Sequence, residues 1–213
     1  MLVPVPLAPE IRLHLADPDR GLFDLAGGEY HSDQPPPFWA FAWAGGQALA
    51  RHLLDHPPVV AGRRVLDLAT GSGLVAIAAA RSGAAEVAVD DSDPAAVAAA
   101  HRNAAANGVT LVAAVDRPDV LLAGDAFYTA RVAGQMTARL LRARRAGARV
   151  LVGEPGRGYF PDRLFVRLAD YRVPVPAALE ASETLLTSVW EMLSPHNQLY
   201  DAKISPSPED RHA

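Results

Sequence analysis

Residues 65–76, VLDLATGSGLVA, run an apolar strand through a turn punctuated by two glycines into the start of an apolar helix. That order restricts the chain more than any other stretch, because a strand, a glycine turn and a helix open a βαβ unit in a parallel sheet. Gly71 and Gly73 let the backbone approach a ligand closely. Read literally, Gly71-Ser72-Gly73-Leu74-Val75-Ala76 is the G-x-G-x-x-A of a dinucleotide site, and Asp91 lies twenty residues beyond Gly71. Which ligand the loop holds depends on the charges around it.

The pattern beyond this turn alternates. Strands are expected at 64–69, 86–90, 110–115, 119–124 and 149–154, with helices at 73–82, 94–107 and 130–146. Short apolar strands separated by helices make an α/β fold, a mostly parallel twisted sheet with helices on both faces. An amphipathic helix over 45–55 precedes this core, and PEIRLHLA (9–16) reads as a further short helix. A helix over 163–170 and strands over 171–175 and 185–192 close it. The expected organisation is a proline-punctuated extension, 1–44, forming a flap over the active site; a single folded domain, 45–193; and a polar, poorly ordered tail, 194–213.

Composition closes off several classes. With no cysteine, disulfide frameworks and thiolate chemistry drop out. A net charge of −4 argues against nucleic acid as a partner, which needs a basic face. No apolar run reaches the roughly eighteen positions that span a bilayer, and no basic-then-apolar leader opens the chain. A cytoplasmic monomer without membrane contact is expected. His52 and His56 share one helix face but have no third ligand beside them, so they read as a solvated face and no metal is expected.

The acid in the glycine stretch decides between ligands. Asp67 sits at the strand end, four residues before Gly71. A carboxylate there would repel a pyrophosphate by about 2 to 4 kcal/mol at separations of roughly 4 to 8 Å and an effective dielectric near 20. It would welcome a cation. S-adenosyl-L-methionine (SAM), with an ammonium and a sulfonium and no phosphate, suits the loop better than NAD. Asp91, at the tip of the second strand, is the expected ribose ligand, with Asp90 the alternative. Asp93-Pro94 reads as an N-cap followed by proline at the first helical position.

Seven stretches carry a resemblance: LAPEIRLHL (7–15), PFWAFAWAGGQALARHLLD (37–55), VLDLATGSG (65–73), DDSDP (90–94), GDAFY (124–128), VLVGEPGR (150–157) and TSVW (187–190). Together they resemble the class I, seven-β-strand SAM-dependent methyltransferases, and more narrowly the lysine methyltransferases that modify the β subunit of electron transfer flavoprotein. The resemblance implies a Rossmann-like SAM methyltransferase fold, SAM as cofactor, S-adenosyl-L-homocysteine as product and a protein-lysine acceptor, the β subunit itself or another cytoplasmic protein. It places Trp43 and Gly45 with Asp67, Ala69, Gly71, Gly73 and Asp91 around the cofactor. In two places the chain departs from the family. Ala69 stands where glycine is common, and the connection 116–118 is short, leaving Val115 and Asp116 as the adenine candidates.

Asp125 and Tyr128 match the family's D-x-x-Y motif and are the expected catalytic pair, Asp125 also bordering the cofactor. Methyl transfer is a direct displacement, so positioning of the nucleophile is what the protein supplies. Asp125 would orient the amine; the competing reading makes it the N-cap of the helix near Thr129. Phe127, Glu154 and Arg157 are the expected substrate contacts. A small-molecule N- or O-methyltransferase would share the same fold and cofactor site, and a dinucleotide-binding oxidoreductase is the reading the literal glycine fingerprint permits.

Overall fold

The computed structural model describes residues 1–16, 37–176, 180 and 182–194. The expected tail beyond Ser194 and residues 17–36 of the expected flap lie outside the described residues. In chain order the elements are β1 (Leu2–Pro4), β2 (Arg12–His14), α1 (Ala44–Asp55), β3 (Arg64–Leu68), α2 (Leu74–Arg81), β4 (Glu86–Asp90), α3 (Pro94–Ala106), β5 (Val120–Gly124), α4 (Ala130–Arg145), β6 (Arg149–Glu154), β7 (Phe165–Pro174) and β8 (Thr184–Met192).

Six strands form one sheet in the order β4-β3-β5-β6-β8-β7, parallel from β4 to β6 and antiparallel from β6 outward. The two faces bury separate sets of side chains, because successive residues of a strand point to opposite sides. Leu122 and Leu151 pack with Leu49 and Leu53 of α1 and Ile77 of α2. Leu121, Val150 and Val152 pack with Met136 and Leu140 of α4.

Three sequence expectations are corrected here. PEIRLHLA is not a helix: Ile11 and Leu13 are buried while Arg12 and His14 are turned outward, a period of two, and β2 pairs antiparallel with β1. The strand expected at 110–115 shrinks to one bridge, Ala88 to Val112. Leu111 is buried, but Ala113 and Ala114 are exposed and offer little apolar area to hold a longer ladder. The helix expected at 163–170 is the first part of β7, entered by a 3₁₀ turn at Asp162–Leu164. A bulge between Arg167 and Ala169 breaks the alternation there, which is why Leu164, Phe165 and Leu168 carry a helical spacing.

His52 departs from the solvated-face reading as well. It is 6% exposed, stacks on His56 at 4.4 Å and shares a hydrogen bond with the Tyr171 hydroxyl at 3.1 Å. Burial, together with the nearby charges of His56 and Arg149, lowers its pKa to about 4.

What positions the site is a glycine contact between α1 and the sheet. A Cβ at Gly45 would lie 2.3 Å from the Gly153 carbonyl oxygen and 2.5 Å from the Asp125 nitrogen, and one at Gly124 would lie 2.7 Å from Gly46 Cα. The helix therefore begins directly on the tips of β5 and β6, backbone against backbone. Gly45→Ala should force these elements apart and cost roughly 1–3 kcal/mol or more, the range of overpacked cores. By contrast, Gly134→Ala in α4, where a Cβ meets nothing within 4 Å, should stabilise by about 0.5–1 kcal/mol. Denaturant unfolding of both variants checks the pair; equal stabilities would refute the contact.

Candidate active site

The carboxyl tips of β3, β4 and β5 open onto a cleft lined by Phe41, Trp43, Asp67, Ala69, Gly71 and Gly124. Asp67 is 1% exposed. Its Oδ2 accepts hydrogen bonds from the Thr70 hydroxyl at 2.6 Å and the Ala76 N–H at 3.1 Å, while Oδ1 has no partner among the described residues. Burial pushes its carboxyl up to about 7, the two donors work against that rise, and the charge of Asp91 adds to it.

The backbone after Asp67 is left-handed at Ala69 (φ +55°) and again at Gly71 (φ +51°). The replacement of glycine by Ala69 leaves that turn in place, at a cost of roughly 1–2 kcal/mol for a residue with a Cβ. The Gly71 N–H donates to Asp91 Oδ2 at 3.0 Å, and the Asp93 N–H donates to Oδ1 at 3.0 Å. Asp91 thus turns toward the glycine loop, whereas Asp90 turns to an ion pair with Arg139. Asp93 caps α3, accepting from the Ala95 N–H at 2.8 Å. Gly73 serves packing: a Cβ there would lie 2.7 Å from Ala100 Cα. Val115 is half-exposed in the connection before β5 and is not part of the cleft lining.

Asn103, unmarked in the sequence because it sits in an alanine-rich helix, is 1% exposed and ties three segments together. Its Nδ2 donates to the Ser72 carbonyl at 2.8 Å, and its Oδ1 accepts from the His14 N–H at 2.7 Å. The N-terminal hairpin, α3 and the glycine loop meet at this one amide.

On the acceptor side of the cleft, Asp125 follows β5 with φ +57°. Its Oδ2 accepts the Gly45 N–H at 3.1 Å, so it satisfies a free donor in the first turn of α1. Its Oδ1 accepts from Arg157 Nε at 2.8 Å, and Arg157 Nη2 reaches Oδ2 at 3.2 Å. The competing reading, a cap on α4, fails: Thr129 is that cap, its hydroxyl accepting the Val132 N–H at 3.2 Å. Tyr128 is 44% exposed, its ring 5.5 Å from that of Phe38. Partial burial and then the charge of Asp91 raise its pKa, which keeps the hydroxyl a neutral donor.

The expected substrate contacts are placed differently. Phe127 is fully buried on the α4 side of the sheet, edge-on to Phe160 at 5.1 Å, because the turn sends alternate side chains inward and outward. Glu154 is 3% exposed and its Oε1 holds the N–H groups of Gly156 (2.9 Å) and Arg157 (2.6 Å), so it shapes the loop. Burial raises its pKa in spite of those bonds. Arg157 pairs internally, gripped by Asp125 and by Glu180, whose Oε1 lies 2.6 Å from Nη2. Burial opposes that charge, but the Glu180 and Asp125 bonds outweigh it and push the guanidinium further up. No sequence pattern singles out Glu180, since its contact spans 23 residues of chain.

A sequence profile of ribosomal protein L11 methyltransferase (PrmA) matches residues 48–130, which include the glycine loop and the tip of β5. A solved Pyrococcus horikoshii protein, described as a candidate RNA methyltransferase, shares the fold with TM-score 0.53 at 18% identity, over 81% of this chain and 97% of that one. Together with the cleft, these findings define a Rossmann-like fold of the class I methyltransferase type. The electron transfer flavoprotein beta subunit lysine methyltransferase of Rattus norvegicus is 36% identical over 200 residues, covering 87% of this chain and 77% of that protein. The Homo sapiens protein of the same name is 35% identical over 199 residues, covering 86% and 75%. The chain belongs to this family of methyltransferases.

The residues present fit SAM. Asp67 keeps an uncommitted buried oxygen in the cleft, matched to a cationic group, and Asp91 presents a carboxylate at the β4 tip, matched to ribose hydroxyls. Bound here, SAM supplies an electrophilic methyl group.

A cation beside Asp67 requires the carboxylate form. Below about 7 a proton must leave as the cofactor binds, so affinity should weaken as pH falls, by up to about tenfold per unit, and level off above 7. Asp67→Asn should bind SAM more weakly throughout and show a flat profile. Calorimetric titration between about pH 5.5 and 7.5 measures both; a flat wild-type profile would contradict the role of Asp67.

Proposed function

We propose that this enzyme transfers a methyl group from SAM to a lysine side-chain nitrogen of a protein, and that the acceptor is the β subunit of electron transfer flavoprotein. The observation that carries the reading is the position of Asp125, a carboxylate that directly follows Gly124 of the cleft lining, near an aromatic cluster of Trp43, Phe38 and Tyr128. The family relatives support it further, because their likeness extends over 87% of this chain, beyond the cofactor half and into the acceptor side.

A lysine with a reference pKa of about 10.4 is neutral in only roughly one molecule in 2,500 at pH 7. The aromatic cluster strips water from the arriving ammonium and disfavours its charge. Asp125 accepts a hydrogen bond from the amine and fixes the direction of its lone pair. Tyr128, held as a neutral phenol, closes the opposite side. The proton leaves to solvent through the open rim, where Tyr128 is exposed. Positioning of this kind is the contribution a displacement needs from its enzyme.

Incubation with methyl-labelled SAM and purified electron transfer flavoprotein, followed by peptide mass spectrometry, tests the acceptor. Label is expected on lysine residues of the β subunit and on no other residue type. Label confined to small metabolites of a cell extract, with proteins unlabelled, would contradict protein methylation. Label on other proteins but not on the flavoprotein would contradict the acceptor.

A further inference from the structure

Arg157 is bound by the protein much as a ligand would be. Its Nε and Nη2 lie 2.8 and 3.2 Å from the two oxygens of Asp125, and its Nη1 and Nη2 lie 3.0 and 2.6 Å from the two oxygens of Glu180. The guanidinium carbon also lies 5.8 Å from the centre of the Trp43 ring. Two carboxylates and an indole face are the groups that hold an alkylammonium.

We propose that Asp125, Glu180 and Trp43 form the subsite for the acceptor's alkylammonium, and that Arg157 fills it at rest as an internal competitor displaced by the incoming lysine. The proposal rests on the reading of the enzyme as an amine methyltransferase and assigns Glu180 as a substrate-positioning residue. The subsite adjoins the cofactor, since Trp43 lines the cleft and Asp125 follows Gly124, which also lines it. One guanidinium facing two carboxylates leaves a net negative charge for a cation to exploit. Arg157 is a suitable placeholder, because its charge is delocalised and it stays protonated, whereas a lysine amine gives up its proton readily on burial.

A separate observation points the same way. Glu154 is 3% exposed, keeps Oε2 without a partner and feels the charge of Asp125, so the site holds more acceptor capacity than Arg157 uses. Glu154 also pins the loop backbone through the N–H groups of Gly156 and Arg157, so exchange requires only rotation of the Arg157 side chain. A Cβ at Gly156 or Gly158 would meet nothing within 4 Å, leaving room on both sides for that rotation.

The test uses n-butylammonium as a probe of the lysine side chain, with calorimetry in the presence of S-adenosylhomocysteine and circular dichroism to check the fold. Arg157→Met, which keeps an unbranched side chain but removes the guanidinium, should bind the probe about tenfold or more tightly than the wild type, and adding Glu180→Gln should reverse that gain. With a protein acceptor, Arg157→Met should lower KM by a similar factor and Arg157→Met/Glu180→Gln should raise it again, SAM affinity staying level. Equal probe binding by wild type and Arg157→Met would overturn the proposal. So would an Arg157→Met protein that fails to fold, because a side chain the fold requires is not one that substrate displaces. Probe binding needs no methyl transfer, so its outcome stands apart from failure to methylate the flavoprotein.

Discussion

The backbone contact between the start of α1 and the tips of β5 and β6 is the constraint on which the rest of the site depends. A Cβ on Gly45, Gly124 or Gly153 would run into backbone across this contact, and Gly46 Cα is what one on Gly124 would meet. Close approach brings the Gly45 N–H within 3.1 Å of Asp125, so the acid that faces the acceptor also satisfies a free donor of the helix. The same approach sets Trp43, which precedes the helix, against the cofactor cleft. A wider spacing would detach the aromatic cluster from the acid.

Charge is then distributed by burial. Asp67 and Glu154 are almost completely buried and each keeps one oxygen unpartnered, with pKa raised by desolvation. Asp125 and Glu180, also largely buried, share the single positive charge of Arg157. Before ligands arrive, burial thus disfavours the charge of Asp67 and Glu154, and an internal cation offsets part of the charge of Asp125 and Glu180. Both arrangements favour an incoming cation, because it restores the carboxylate in one case and takes over from the guanidinium in the other.

Much of this was legible in the sequence, and the parts that were not have physical causes. Strand, glycine turn and helix from 64 to 82 are local patterns, and the structure places β3 and α2 within them. Asp91 and Asp90 stood side by side at the end of the second strand, and only their partners tell them apart, Gly71 for Asp91 and Arg139 for Asp90. Phe127 was misread because a hydrophobic beside a catalytic acid serves a cleft or a core equally well until the turn's direction is known. The β7 segment was misread because one bulge is enough to mimic helical spacing. Asn103 and Glu180 act through partners far along the chain, 89 and 23 residues away, and no local pattern carries such pairings. The glycine contact was half visible: Gly45 stood out, but its counterparts Gly124 and Gly153 looked like ordinary strand ends.

The central claim is that Asp125 positions the acceptor rather than holding the cofactor or the fold. The most direct measurement compares Asp125→Asn with wild type in calorimetric SAM affinity and in initial methyl-transfer rate. Asparagine keeps an oxygen for the Gly45 N–H but loses the charge, and misplacing a nucleophile by about 1 Å costs ~100-fold. Affinity should stay within a few-fold of wild type while the rate falls by about that factor. An Asp125→Asn enzyme with an unchanged rate, or one whose rate falls only in step with its cofactor affinity, would contradict the account.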